Sequence, residues 1–113
     1  VRFFSLFLIF FSASVFADFP EEQGEINFLQ VHKTPESDSS SGNRFIVRLD
    51  GDMSDDTCGG GQWTGYLTSE AGAAQYSMLL SSVMAGKKVK IEGNSNVICE
   101  GTSTLIRNIY LVF

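Results

Sequence analysis

The chain reads as a mainly β domain carrying one α-helix, with short strands closed into a small barrel. Three observations predict this. Residues Glu70 to Ala85 carry apolar side chains at helical spacing and are followed by a glycine. Five other stretches have strand composition, and two of them alternate apolar with polar residues. Strands this short must be closed or covered, because an open edge invites pairing with other chains.

The first 17 residues stand apart from the fold. Arg2 gives a minimal positive start, Phe3 to Phe11 is an apolar run, and Val15-Phe16-Ala17 fits a small-residue cleavage pattern. The run falls short of the ~20 apolar residues that span a bilayer. A signal peptide over 1–17 is therefore expected, followed by one domain over 18–113. Export to the periplasm or the medium follows, with no membrane insertion once the leader is cleaved. No Cys sits at the cleavage point, so a lipid anchor is not expected.

Asp18 to Gln23, acidic and containing Pro20, is expected to fray. Glu25 to His32 (EINFLQVH) is the first strand. Its alternation breaks at Leu29 and Val31, which calls for a bulge or for burial on both sides. Lys33 to Asn43 (KTPESDSSSGN) is a loop by composition. Arg44 to Asp50 (RFIVRLD) is the cleanest strand, with Phe45, Val47 and Leu49 inward and Arg44, Ile46, Arg48 and Asp50 outward. Gly51 to Gly61 is a second loop, acidic and then glycine-rich, and Gln62 to Leu67 (QWTGYL) is the third strand.

The helix follows directly. Ser69 can cap its first turn, Glu70 suits the positive end of its dipole, and Gly86 supplies a left-handed stop. Sixteen residues give a rod of roughly 24 Å. Ala73, Tyr76, Leu79, Leu80, Val83 and Met84 form the stripe expected to face the core. The other face, including Ala71, Ala74, Met78 and Ser82, bears no charge beyond Glu70. Small residues without charge admit a close neighbour, so those four positions are a candidate homo-oligomer contact.

Lys87 to Glu92 alternates again, with Val89 and Ile91 inward. Gly93 to Thr104 is irregular, and Leu105 to Phe113 (LIRNIYLVF) closes the chain as an apolar strand. The order β-β-β-α-β-β is that of a five-stranded, partly open OB-like barrel. An α+β sheet with one covering helix satisfies the same periodicities and stays open as an alternative.

Without the leader the chain keeps 96 residues, enough for one modest core, and its net charge moves from −5 to −6. Such a surface repels phosphate backbones, so nucleic acid is not an expected partner. Cys58 and Cys99, an even pair in an exported chain, are expected to form a disulfide.

The stretch AAQYSMLLSSVMAGKKVKIEG, followed by a Cys and by the final strand IRNIYLVF, resembles short, largely uncharacterised exported proteins of Gram-negative bacteria. The leader, the strand EINFLQVH, the cysteine pair and the junction "helix, AGK, V-x-I" carry the resemblance. The layout is distantly similar to the B subunits of subtilase-type AB5 toxins, small exported OB barrels that form rings and bind glycans. The resemblance implies a binding role and a homo-oligomer. It transfers no binding residue, because the matching junction is structural.

No catalytic, metal or cofactor residue is expected. His32 is the one histidine and lacks a flanking motif such as GxSxG. A glycosidase pair would have to come from Asp50, Asp52, Asp55, Asp56, Glu92 or Glu100. The run Asp50 to Asp56 has oxygen ligands that calcium would take, but lacks the glycine and distal glutamate of an EF-hand loop. Gly59-Gly60-Gly61 lacks the Lys-Ser/Thr pair and the following helix of a phosphate loop. Trp63 and Tyr66 are the candidate ligand contacts. Their opposite parity puts them on opposite faces, and an outward aromatic can stack on a sugar or a partner side chain. The expected function is a non-catalytic binding module for a glycan or another surface ligand, including an oligomeric form. An inhibitor of an envelope or host enzyme, acting through Lys33–Asn43 or Asp50–Gly61, is the alternative. An enzyme built on His32 is a third.

Overall fold

The computed structural model describes residues 19–33 and 43–113. The leader over 1–17 and most of the loop from Lys33 to Asn43 lie outside the described residues. Eight elements follow in order: β1 (Glu21–Gly24), β2 (Ile26–Lys33), β3 (Asn43–Leu49), β4 (Gln62–Tyr66), α1 (Glu70–Ala85), β5 (Val89–Gly93), β6 (Cys99–Glu100) and β7 (Ser103–Leu111). Mainly β with one helix is the fold, and the five predicted strands occur in the predicted order.

The barrel is corrected to an open sheet. Its path runs β1-β5-β7-β4-β3-β2, with β6 paired to β7. All ladders are antiparallel except β4–β7, which is parallel. No ladder joins the two ends of the path, β1 and β2, yet only Glu25 separates them in the chain. Asp50 N donates to Glu25 O at 3.0 Å and Ser54 N to Glu21 O at 2.9 Å. The continuation of β3 is therefore bonded to β1.

Burial follows the alternation where alternation was clear. Phe45, Val47 and Leu49 of β3 meet Trp63 of β4, Val89 and Ile91 of β5, Ile106 of β7 and Leu79 of α1 in one core. Ile46 was expected outward and does leave the core face, but it is buried beside Thr64, its cross-strand neighbour. Long side chains in the adjacent rows (Arg44, Arg48, Gln62, Tyr66) flank that pair. In β2 the register shifts between Ile26 and Phe28, the bulge that the broken alternation called for.

The N-terminal arm does not fray. Glu21 to Gly24 pair with Glu92 to Val89 of β5, and Pro20 O accepts from Gly93 N at 2.8 Å. The stretch after β5 is also more regular than expected, since Cys99 and Glu100 pair with Thr104 and Ser103.

The helix has its predicted limits and caps. Gly72 N donates to Ser69 Oγ at 2.9 Å, and Gly86 sits at φ 64 with Lys87 N returning to Ser82 O. Its orientation differs. Gly72, Leu79 and Ser82 are the buried positions, and Tyr76 packs its ring 5.7 Å from that of Phe45. Leu80, Val83, Met84 and Ala73 of the expected inward stripe are exposed instead. The helix lies close to the sheet, and small residues permit that approach. Ser82, expected on the outer face, is buried and donates to Lys87 O at 2.8 Å.

Candidate binding face

One face of β2, β3 and β4 points away from the core and carries the polar side chains of those strands. Register puts Phe28 opposite Arg48, His32 opposite Arg44, and Arg44 opposite Tyr66. Directly opposed side chains on one face are neighbours. The Arg48 guanidinium lies 5.1 Å from the centre of the Phe28 ring, which is 40% exposed. Its Nε and Nη2 both donate to Gln62 Oε1, at 3.1 and 2.9 Å. Gln62 Nε2 then donates to Ser103 Oγ at 2.7 Å, which carries the chain of bonds from β3 through β4 to β7.

A second link crosses to the β6–β7 hairpin. Tyr66 Oη donates to Glu100 Oε2 at 2.7 Å, and Arg44 Nη1 donates to the Glu100 backbone oxygen at 3.3 Å. The bond to Glu100 pushes the Tyr66 phenol above its ordinary range, with burial and the Glu100 charge adding and Arg44 opposing. The predicted disulfide is formed, with Cα atoms of Cys58 and Cys99 5.6 Å apart. It anchors the residue next to Glu100 to the loop before β4.

Of the two aromatic candidates, only Tyr66 stays at the surface. Trp63 is wholly buried on the opposite face, out of reach of a surface ligand, and its Nε1 donates to Glu22 Oε1 at 3.0 Å. Glu22 is itself 3% exposed. Burial raises its pKa most, the Trp63 bond counters, and Asp52, Asp50 and Asp56 push it further up.

The remaining candidates scatter. The cross-strand row of His32 holds Arg44 and Tyr66, and neither supplies a nucleophile–base pair of the Ser-His kind. Asp55 and Asp56 fold onto their own loop, accepting from the N–H of Thr57 and Gly61, while Asp50 accepts from Glu25 N between β1 and β2. Among the described residues, no three His, Cys, Asp or Glu side chains are placed to share a metal ion. Glu92 meets Lys90 at 3.5 Å. On the helix, Ala71 and Ala74 are exposed and Met78 is half-buried, while Ser82 faces inward.

Sequence reasoning placed Arg44 and Arg48 outward without marking them as site residues, and passed over Gln62. The signal was there in β3: two arginines four positions apart, on one face of a strand of an acidic chain.

No family model, no curated protein and no solved structure matches this chain. Its chemistry has to be read from this face. Among the described residues no helix is long and apolar enough to cross a membrane.

Proposed function

We propose that this is an exported binding module whose ligand sits on the β2–β3–β4 face, contacted by Phe28, Arg44, Arg48, Gln62 and Tyr66. One observation carries the reading. Among the described residues both arginines donate to neutral acceptors, Gln62 Oε1 and the Glu100 backbone oxygen, and neither has a carboxylate within ion-pair distance. The chain has 13 Asp and Glu against eight Lys and Arg, so arginines that lack a carboxylate partner among the described residues suit an incoming anion. Phe28 adds an exposed ring beside one of them. The ligand class is a glycan or other surface polymer bearing carboxylate or sulfate groups. The cysteine pair and the leader composition support export.

The test is a glycan array with neutral, carboxylated and sulfated members, run on the oxidised protein and on Arg44→Gln/Arg48→Gln. Retention of acidic members by the wild type alone, with at least a tenfold loss in the variant, supports the face. Equal binding by both proteins sinks it, as does preference for neutral glycans.

Self-association is a second reading favoured by a separate observation. Leu80, Val83 and Met84 are 41%, 49% and 88% exposed on a helix with no charge after Glu70. Native mass by light scattering decides it: a multiple of the monomer mass that collapses in Val83→Lys/Met84→Lys supports the helix as interface, and a monomer at high concentration removes it.

A further inference from the structure

The recognition face leaves one buried ionisable group without a role. Glu22 lies in β1 between Glu21 and Gln23, with its side chain on the core side opposite Ile91 of β5. Its contact inside the protein is the indole N–H of Trp63, 41 residues away. The segment Pro20 to Gly24 lies against that indole. A Cβ added at Gly93 would stand 2.6 Å from Pro20 Cγ and 3.2 Å from the Trp63 ring. An open cavity of about 200 Å³, lined by Glu21, Glu22, Gln23, Asp52, Ser54 and Lys90, lies beside this residue.

The charges that face this group are unbalanced. From the loop after β3 come Asp52, Asp50 and Asp56, while Glu21, Lys90 and Glu92 of the β1–β5 pair lie on the other face of the two strands. Among the described residues Lys90 is the cation of that pair, and it lies 3.5 Å from Glu21 and 3.5 Å from Glu92. An ionised Glu22 thus sits in the interior with one hydrogen bond and carboxylates on the adjoining loop. A protonated Glu22 keeps a carbonyl oxygen for Trp63 and feels none of that repulsion.

We propose that Glu22 and Trp63 form a proton-operated latch on β1, seated while the carboxyl carries its proton and eased when the proton leaves. Easing it frees the Glu21–Gly24 pairing and turns β5 into the outer edge of the sheet. The device is distinct from the anion face, which lies on the other side of β3 and β4.

Two readouts on the full chain test it. Trp63 is the sole tryptophan, so its fluorescence reports the latch directly. Amide exchange of residues 21–24, normalised to that of β3, reports the strand. Between pH 4 and 8 both should change together along one proton titration in the wild type and stay flat in Glu22→Gln, which keeps the acceptor for Trp63. In Asp52→Asn the midpoint should move to lower pH, a check that does not depend on Glu22→Gln folding. Constant protection of residues 21–24 across this range overturns the proposal. So does a transition that survives unchanged in Glu22→Gln, or a midpoint unmoved in Asp52→Asn.

Discussion

Tyr66 and Glu100 are joined by a 2.7 Å hydrogen bond across 34 residues, and that bond ties the end of β4 to the β6–β7 hairpin. Tyr66→Phe leaves a half-buried carboxylate without its donor, at a cost of about 1–2 kcal/mol. The wild-type phenol holds its proton above the ordinary 10.0. Between pH 10 and that raised value the folded chain binds more protons than the unfolded one. The stability from this bond is therefore complete below pH 10 and lost as pH rises further. Absorbance at 295 nm should show a late tyrosine transition that is missing in Tyr66→Phe.

Glu22 titrates in the same sense, lower on the pH scale. Its ordinary value is 4.5 and the folded protein raises it. The folded chain therefore binds more protons over the interval between those values, and its stability falls as pH climbs through it. Above that interval the buried charge is carried; well below 4.5 the carboxyl holds its proton in both states. Glu22→Gln should raise Tm at pH 7 and leave it unchanged at pH 3. A variant less stable than wild type at both pH values would contradict the account.

Gly72 sets helix propensity against packing. Alanine is the better helix former by about 1 kcal/mol. A Cβ at this position, however, would run into the Tyr66 carbonyl oxygen, because the first turn of α1 rests on the end of β4. Gly72→Ala should therefore lose 2 kcal/mol or more, within the range of overpacked cores at about 1–3 kcal/mol. Chemical denaturation measures it, and a stabilised variant would mean that the helix sits further from the sheet.

The disulfide closes a loop with a sequence separation of 41. Chain entropy assigns such a link about 4 kcal/mol. Cys58→Ser/Cys99→Ser should lose stability of that order, seen as a fall in Tm of roughly 15 °C or more for a domain this size. Ligand affinity should fall with it, since Glu100 would lose its anchor beside Tyr66 and Arg44.

Local rules made part of this molecule legible. Ser69 and Gly86 fixed the ends of α1, and alternation fixed the inward residues of β3 and β5, because each signal depends on a few neighbouring positions. The facing of α1 was not legible. Pattern reasoning puts the largest apolar residues inward, whereas this helix turns Gly72 and Ser82 to the sheet and leaves Val83 and Met84 in solvent. β1 was missed for a related reason. A glutamate is ordinarily a surface residue, and what makes Glu22 an interior one is an indole 41 positions on. The binding face shows the same limit: β3 gave the direction of Arg48, but its partner Gln62 belongs to another strand.

The sheet also has an order of assembly written into it. β7 bonds to β4, β5 and β6, and it comes after all three in the chain. A polypeptide emerging from its N-terminus can zip β2 to β3 and β3 to β4 early, as neighbours. The β1–β5 pair gains its neighbour on the β5 side only when that last strand arrives. Until then the half-made sheet leaves its greasy inner strands uncovered, and the fold snaps shut with the residues from Ser103 onward.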